Sequence, residues 1–476
     1  MVLPVLVLCG VSGCLPDIGG YDPPSNELIF PVGVATTKND RHLLVVNSNF
    51  DLRYNNGTLM ALDLSRLNGA GSTQSNSDGT SFDKTRGIYT VTSSLDSFCD
   101  PGGYDNYCHI DVKRWSVPKE TIRLGAYASD LQMSPDGEWA VIPVRGERSI
   151  IVVRVDETGN ELLNCGADSG RDCASSHRIS SGGGITMPIE PYTVATMEYR
   201  VPVRNNNGEV TGEVVETMGA ATHLSGGEVS LFSIASRTKN GDATVDARLV
   251  NVIGGVVEGA SGIAANPLTN EMYVAGRRDP YPHVAVLQVL TNLDSGGSYL
   301  NNPWFSQTAT ISIANEIYGG TEARSVAVSP LGDTAFVLTQ EPPALLKLNL
   351  ETYKTVDMTT VCAEPSRVKT HLVKNDPDDP LDDQVFAFVL CFMTGQVYIV
   401  DTRLMTSTVR VTGSGPQDIA FDATRELAYI ANFSESTITV IQSEPPFNQV
   451  RVRSADAPDV LKTIRIGEPG STGGKK

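Results

Sequence analysis

Residues 415–441 read GPQDIAFDATRELAYIANFSESTITVI and contain three short apolar segments separated by polar turns. The segments IAF, LAYIAN and STITVI are rich in Ile, Val, Tyr and Thr, and the linker DATRE is polar. Short apolar runs that are rich in β-branched and aromatic residues and bounded by turn residues predict strands rather than helices. The stretch therefore predicts a small antiparallel sheet that opens on a small residue or a proline.

The same unit recurs along the chain. It opens clearly at residues 31–35, 129–133, 261–265 and 324–328, and weaker copies begin near Pro191 and Pro365. Counting copies divides the chain into the units 30–126, 127–186, 187–256, 257–319, 320–363, 364–413 and 414–467. Small repeated sheets need their neighbours to bury their faces. The repeat predicts an all-β, seven-bladed β-propeller of four-stranded antiparallel blades, with six or eight blades as alternatives.

A family resemblance agrees with this fold. YIAN at 429–432 stands where YVTN-type (lactonase-like) β-propeller repeats carry their YVTN or YVAN signature, and VVN at 45–47 and YVA at 273–275 match it in part. The resemblance covers residues 30–467 and implies a propeller whose ligands or reactions lie at one mouth of the central channel. It does not imply a particular ligand or reaction.

Charge and length restrict the class of protein. The 476 residues include 37 Lys and Arg against 55 Asp and Glu, which gives a formal charge of −18. Such a surface repels phosphate backbones, so we expect no nucleic-acid partner. The hydrophobic fraction of 40% is too high for a disordered chain, and the length suits one large repeat-built domain. We expect a monomer.

The N-terminus predicts a location. Residues 2–11 are apolar, and VSGC at 11–14 resembles the lipobox of bacterial lipoproteins, although no Lys or Arg precedes the apolar run. The resemblance implies a signal peptide at 1–13, lipid attachment at Cys14, an anchor linker at 14–29 and a membrane-anchored protein of the bacterial cell envelope that faces the periplasm or the exterior. The alternative is an apolar N-terminal strand. We expect a propeller over 30–467 with an insertion at 65–118, and a flexible tail over 468–476.

Six cysteines remain beyond the signal segment, and they fall into local pairs. The pairs are Cys99 with Cys108, Cys165 with Cys173, and Cys362 with Cys391. An even set of cysteines in an exported chain is typical of disulfides, and short loops close most easily. Fifteen pairings are formally possible for six cysteines, so the local solution is a prediction.

Strand order assigns each loop to one face of the disk. With strands a to d counted outwards from the channel, the d–a and b–c loops share one face, called the first face below. Cys362 precedes strand a of the sixth unit and Cys391 ends its strand b, so both lie on the first face, one strand apart. The other two pairs are expected in c–d insertions on the second face.

The first face also gathers the candidate ligand residues. Asp130 and Asp418 start innermost strands, and the remaining candidates sit in or beside the loops; they are Arg145, His223, Arg277, His283, Arg324, Arg367 and Asn432. Two carboxylates and a histidine can hold a metal that activates water for lactone hydrolysis. The same residue types also cap turns and satisfy backbone groups. The arginines could clamp an anionic ligand or form a solvated rim.

An acidic loop is a weak metal candidate. Five carboxylates are spaced closely between residues 376 and 383, namely Asp376, Asp378, Asp379, Asp382 and Asp383. They could hold Ca²⁺ or another divalent ion, which prefers six to eight oxygen ligands. The loop lacks the DxDxDG order of a calcium-binding loop and contains two prolines. A solvated acidic turn is the alternative, and no cofactor is predicted.

These patterns predict a binding or scaffold module for a protein, glycan or small ligand. The alternative is a propeller hydrolase of the lactonase type or a quinoprotein-like oxidoreductase module, and a third possibility is a structural envelope protein that uses loops 65–118 and 376–383. The GxSxG, HExxH and GxxxxGK[ST] motifs are absent from the sequence. The sequence therefore predicts the fold more specifically than the reaction, and catalysis remains open.

Overall fold

The computed structural model describes residues 20–67, 81–91, 99, 107–166, 171–205, 207, 209–239, 242–266, 268–278, 283–290, 304–313, 322–374, 382–454 and 457–467. The expected signal peptide, Cys14 and most of the expected linker lie outside these ranges. Within them the chain is almost entirely β-structure. The helical elements described are one α-helix, Val112–Trp115, and the 3₁₀ turns Leu64–Leu67, Arg145–Glu147 and Ser175–His177.

The chain folds into a β-propeller of antiparallel sheets whose strands follow one another outwards from the centre. Blade 1 comprises Pro31–Thr36, His42–Asn47, Gly57–Asp63 and Ser116–Leu124. Blade 2 comprises Gln132–Met133, Trp139–Val144, Ser149–Val155 and Leu163–Asn164, with Arg178–Ile179 also paired to its third strand. Blade 3 comprises Pro191–Arg204, Val210–His223, Val229–Lys239 and Asp242–Ile253. A small hairpin, Ser181–Gly182 with Ile185–Thr186, precedes blade 3.

The next three blades have the same order. Blade 4 comprises Ala260–Ala265, Glu271–Gly276, His283–Leu290 and Trp304–Ser312. Blade 5 comprises Ala323–Val328, Thr334–Thr339, Ala344–Asn349 and Lys354–Thr360. Blade 6 comprises Pro365–Val373, Gln384–Cys391, Gln396–Asp401 and Thr406–Val411.

The last unit forms a larger sheet, called the closing sheet below. Its strands are, in order, Pro416–Asp422, Leu427–Asn432, Thr437–Gln442, Ala457–Ile466, Arg451–Ser454, Ile88–Val91 and Ser81–Asp83, and Tyr107–Ile110 pairs with the fourth of them. The sheet lies between blade 6 and blade 1, because Lys369 bonds to the carbonyl of Ile419 and the Val34 N–H bonds to Asp418. It thus completes the ring.

The predicted blade count of seven is wrong, and the alternative of six fits the regular blades. Within the described ranges, six sheets follow the four-strand path, and the seventh unit forms the eight-stranded closing sheet instead. Three of its strands come from the insertion at 65–118, and two of these pair in parallel with strands near the C-terminus. A repeat pattern cannot reveal this addition, because the added strands come from outside the repeated unit.

Close packing between blades explains why the repeat opens on small residues. Gly33 on the innermost strand of blade 1 lies against blade 2, and a Cβ atom there would come within 2.7 Å of Leu131 Cβ. Further out, apolar side chains of neighbouring blades pack face to face. Val141 and Ile150 of blade 2 share a buried cluster with Ala221 and Phe232 of blade 3. These clusters hold the ring together.

All three predicted disulfides are present. They join Cys99 to Cys108, Cys165 to Cys173 and Cys362 to Cys391. The pair Cys165–Cys173 was expected in the loop between the third and fourth strands of blade 2. It lies instead in a loop that interrupts the outermost strand, between Leu163–Asn164 and Arg178–Ile179. Three disulfides indicate an oxidising location, extracellular or periplasmic. No helix in the described ranges is long and apolar enough to span a membrane.

Candidate functional site

A cavity of 610 Å³ occupies the centre of the ring. It is lined by the innermost strands of all six blades and of the closing sheet. Small side chains such as Ala195, Ala264 and Ala327 form much of its wall, which leaves the cavity open. At the first face its lining includes Tyr192, Arg277, Arg324, Glu364 and Phe392; the last four belong to the loops or strand starts of blades 4 to 6.

One strand position recurs around the cavity. Innermost strands shift register within their first residues, as between Pro31 and Gly33 or between Pro365 and Arg367. The residue two positions after the one that opens each unit, Pro31, Ala128, Pro191, Ala260, Ala323, Pro365 or Pro416, is called the ring position. The ring-position residues are Gly33, Asp130, Thr193, Gly262, Ser325, Arg367 and Asp418. Two carboxylates and one guanidinium therefore stand on the same ring of equivalent sites.

The structure brings these three charged residues together. Arg367 Nη1 lies 2.7 Å from Asp130 Oδ1 and 2.8 Å from Asp418 Oδ1. Lys369 Nζ also lies 2.8 Å from Asp418 Oδ1. Asp418 is fully buried and only 12% of the Arg367 side chain is exposed, so water screens these pairs weakly. This buried group links blade 6 to the closing sheet and, through Asp130, to blade 2.

The second oxygen of each carboxylate is also occupied. Asp418 Oδ2 accepts a hydrogen bond from the Val34 N–H at 2.9 Å, and Asp130 Oδ2 accepts one from the Val194 N–H at 3.0 Å. In each case the donor belongs to the neighbouring innermost strand. Both aspartates therefore bind adjacent sheets together, which agrees with the structural interpretation of these residues.

Electrostatics keep this group ionised. Burial alone would raise the pKa of Asp418, but Lys369 and Arg367 outweigh burial and hold that pKa below its usual range. Burial would likewise lower the pKa of Arg367, yet Asp130 and Asp418 raise it. A buried ion pair that keeps all its hydrogen bonds is costly to break.

Several other predicted ligand residues also have structural partners. Arg145 Nη2 lies 2.8 Å from Glu190 Oε1. His223 is buried, and its ring nitrogens lie 3.0 Å from the Ile189 carbonyl and 2.7 Å from Ser230 Oγ. Burial lowers the pKa of His223, so its ring is neutral near pH 7.

Two further predicted residues have similar backbone contacts. Asn432 Oδ1 accepts the Gly413 N–H at 3.0 Å while its amide donates to Thr437 and Thr439. His283 Nε2 lies 3.4 Å from the Val256 carbonyl. Neither residue lines the central cavity. These contacts account for both side chains without a ligand.

Arg277 and Arg324 differ from the other candidates. Both line the cavity, and none of the described residues forms an ion pair with Arg277. Arg324 Nε lies 3.6 Å from Glu322 Oε2, and this buried N–H has no hydrogen-bond partner within the described part of the chain. These two side chains are therefore the cations best placed to receive a ligand.

The cavity carries a local excess of positive charge. Its charged lining residues are Asp130 and Glu364 against Arg277, Arg324, Arg367 and Lys369. The buried Asp418, which holds two of these cations, reduces the excess to one positive charge. The whole chain has a formal charge of −18, so the cavity has the opposite sign to the rest of the protein. Cations in a concave, partly dehydrated site attract anions more strongly than cations on an open surface.

The acidic loop remains a prediction. Asp376, Asp378 and Asp379 lie outside the described residues, and Arg403 donates to the backbone carbonyl of Asp383. Asp382 also has a partner. Within the part of the chain that the structure covers, no three His, Cys, Asp or Glu side chains are grouped so that they could hold a metal ion.

An aromatic surface, which was not predicted from the sequence, lies beside the cavity. Phe50 lies 5.5 Å from Phe433 and 6.1 Å from Tyr127, measured between ring centroids. Phe433 in turn lies 5.1 Å from Phe30 and 6.0 Å from Phe392, which lines the cavity. These five residues, called the aromatic patch below, all sit at first-face loops. A signal was present, because Phe392 and Phe433 each follow directly after the last residue of a second strand.

Comparison with known proteins assigns no family to this chain. No protein-family model and no curated protein matches this chain. Among similar solved structures, Kuenenia stuttgartiensis hydrazine synthase is 11% identical with a TM-score of 0.43, over 88% of this chain and 97% of that chain. Chaetomium thermophilum Sqt1, bound to the N-terminus of the ribosomal protein L10, is 11% identical with a TM-score of 0.47, over 90% and 88% of the two chains. Likenesses at this level carry no argument about function.

Proposed function

We propose that this protein is a binding module of an oxidising compartment and that its central cavity receives an anionic group of the ligand. The observation that carries the proposal is the cluster of cations that line the cavity of an otherwise acidic protein. Arg277 and Arg324 supply the binding charge, because Arg367 and Lys369 already hold Asp418. Arginine suits this role since its planar guanidinium can donate two parallel hydrogen bonds to a carboxylate or phosphate.

Binding is better supported than metal-assisted hydrolysis. The hydrolase alternative needs Asp130 and Asp418 as metal ligands. All four of their carboxylate oxygens contact Arg367 or a backbone N–H group, and Lys369 adds a fifth contact. A divalent cation would have to displace an arginine from both aspartates. A tightly bound divalent ion in the purified protein that is lost in Asp130→Asn would favour the hydrolase instead.

Calorimetric titration tests the anion site. Malonate is the probe, and the uncharged malonamide is its control. We expect malonate to bind and malonamide not to bind, and Arg277→Gln combined with Arg324→Gln to weaken malonate binding by about tenfold or more. Arg86→Gln is the matched control, because Arg86 is 69% exposed beside Asp83 and far from the cavity lining. Equal affinity of the double variant and the control would overturn the proposal.

We also propose the membrane anchor as part of this function. The support is the VSGC motif at 11–14 together with the three disulfides, which belong to the same exported class of protein. Lipid on Cys14 would attach the propeller to an envelope membrane, where its partner would be an envelope protein, a glycan or a small ligand. Cys14→Ser should move the protein into the soluble fraction, and retention in the membrane fraction would contradict lipidation.

A further inference from the structure

The aromatic patch continues the cationic cavity across the first face. Phe392 belongs to both, since it lines the cavity and lies 6.0 Å from Phe433. Phe50 at the outer side of the patch is 54% exposed. Leu52 and Met393, on first-face loops of blades 1 and 6, are 54% and 66% exposed. A group of exposed apolar side chains on one face marks an interaction site more often than isolated exposed residues do.

The backbone under the patch takes up a left-handed conformation that recurs around the ring. Phe30 and Tyr127, each just before an innermost strand, have φ values of 48° and 61°. The same place before blades 3 and 6 is taken by Glu190 and Glu364 with φ values of 53° and 51°, and before the closing sheet by Gly415 with a φ of 71°. A non-glycine residue in this region costs about 1 kcal/mol or more. The left-handed residue is thus a feature of the repeat, and before blades 1 and 2 it is an aromatic residue of the patch.

We infer that the ligand is a protein segment in which a carboxylate side chain is flanked by apolar side chains. This inference rests on the proposed anion site. The carboxylate would enter the cavity toward Arg277 and Arg324, and the apolar neighbours would cover Phe392, Phe433 and Phe50. The charge of the cavity and the apolar character of the patch together match this pattern.

The dimensions suit an extended peptide. From Phe392, the patch runs 6.0 Å to Phe433 and a further 5.5 Å to Phe50 between ring centroids. An extended chain advances about 3.3 Å per residue, so about four residues reach from the cavity across the patch. A single carboxylate and its near neighbours can therefore occupy both parts of the surface at once.

Ring geometry disfavours a glycan. A sugar ring stacks on an open aromatic face. Phe50 meets Phe433 at an interplanar angle of 77° and Tyr127 at 85°, so the edge of one ring points at the face of its neighbour. Rings packed in this way cover part of one another's faces and present apolar edges, which aliphatic and aromatic side chains can contact.

Three capped pentapeptides test the inference by fluorescence polarisation. They are Gly-Phe-Asp-Leu-Gly, Gly-Phe-Asn-Leu-Gly, which lacks the charge, and Gly-Ser-Asp-Ser-Gly, which lacks the apolar groups. We expect the first to bind about tenfold more tightly than either of the others. We also expect Phe50→Ser and Arg324→Gln each to weaken it by about fivefold or more. Leu404→Ser and Arg86→Gln, at the exposed positions Leu404 (70%) and Arg86 (69%), should leave it unchanged.

The outcomes separate the two proposals. Malonate binding without any preference among the peptides would overturn the peptide inference and leave the anion site standing. Loss of malonate binding as well would overturn both. Binding of an acidic oligosaccharide that depends on Phe50 and Arg324, with no peptide binding, would also overturn the peptide inference in favour of a glycan.

Discussion

Arg367 and Asp130 form an ion pair of 2.7 Å between residues 237 positions apart in the chain. Arg367 stands on the innermost strand of blade 6, and Asp130 lies just before the innermost strand of blade 2. The bond therefore runs across the central channel rather than between adjacent sheets. Arg367 holds Asp418 of the closing sheet at the same time. The pair thus joins three separate parts of the ring.

Removing this arginine should destabilise the whole propeller. Arg367→Met leaves the buried carboxylates of Asp130 and Asp418 without their shared partner, and we expect a loss of about 3 to 5 kcal/mol in the free energy of unfolding. Adding Asp130→Asn should recover part of that loss, because one uncompensated charge is then removed. Urea denaturation followed by circular dichroism measures both.

A control variant makes that result specific. Arg86 lies 3.9 Å from Asp83 and is 69% exposed, so Arg86→Met should change stability by about 1 kcal/mol or less. Similar losses for the Arg367 and Arg86 variants would show that the buried group does not hold the ring.

The signature asparagine should act on stability and not on binding. Asn432 is fully buried and bonds to the Gly413 N–H and to Thr437 and Thr439. Asn432→Ala removes these three bonds inside the protein, and we expect about 2 to 3 kcal/mol of destabilisation. Asn47→Ala should behave alike, since Asn47 accepts the Ile29 N–H and donates to Thr58. Calorimetry should find malonate affinity unaltered in both, and a selective loss of affinity would give Asn432 a direct role.

The disulfides should differ in their contribution to stability. Cys362 and Cys391 are 29 residues apart, and Cys165 and Cys173 are 8 apart. Loop-closure entropy predicts about 3 to 4 kcal/mol for the longer loop and about 2 to 3 kcal/mol for the shorter one. Thermal unfolding of the two double Cys→Ser variants checks the order, and a larger effect of the shorter loop would contradict it. Mass mapping without reduction should recover all three pairs.

His371 should make the protein sensitive to mild acid. Its ring stacks on Phe421 with centroids 4.5 Å apart, and burial lowers the pKa of His371 to about 4. In the unfolded chain that pKa is about 6.5, so the unfolded state binds more protons between these values. The stability that the neutral ring contributes is complete above about pH 6.5 and is lost as the pH falls towards 4.

A substitution isolates this effect. The free energy of unfolding, measured by denaturation at each pH, should fall less steeply between pH 6.5 and 4 for His371→Gln than for the unaltered protein. The difference in slope is up to about 1.4 kcal/mol per pH unit for one proton. Equal slopes for the two proteins would show that the pKa of His371 does not change on folding. His177 and His223, whose pKa values burial also lowers, should contribute to the slope that remains, together with Asp418, whose pKa Lys369 and Arg367 lower.

The sequence predicted the fold where local patterns repeat. YIAN at 429–432 ends the strand Leu427–Asn432, and the openings at Pro31, Pro365 and Pro416 start innermost strands. Strand order also placed Cys362 beside Cys391 correctly. The blade count could not be predicted from the sequence, because strands within the insertion at 65–118 pair with the closing sheet and these strands lie outside the repeated unit.

The site was predicted only in part for a related reason. Asp130, Arg367 and Asp418 were all placed on the first face, but their mutual contact depends on which ring positions lie opposite one another. Which positions lie opposite one another depends on the closed ring and cannot be deduced from a single repeat. The aromatic patch joins loops of blades 1 and 6 and of the closing sheet, whose proximity likewise follows from closure.

Crystals soaked with selenate test the central claim most directly, because anomalous scattering from selenium locates the anion without assuming where it binds. We expect a selenium peak in the central cavity, within hydrogen-bonding distance of the guanidinium groups of Arg277 and Arg324. An empty cavity, with selenate only at the outer surface or at lattice contacts, would contradict it.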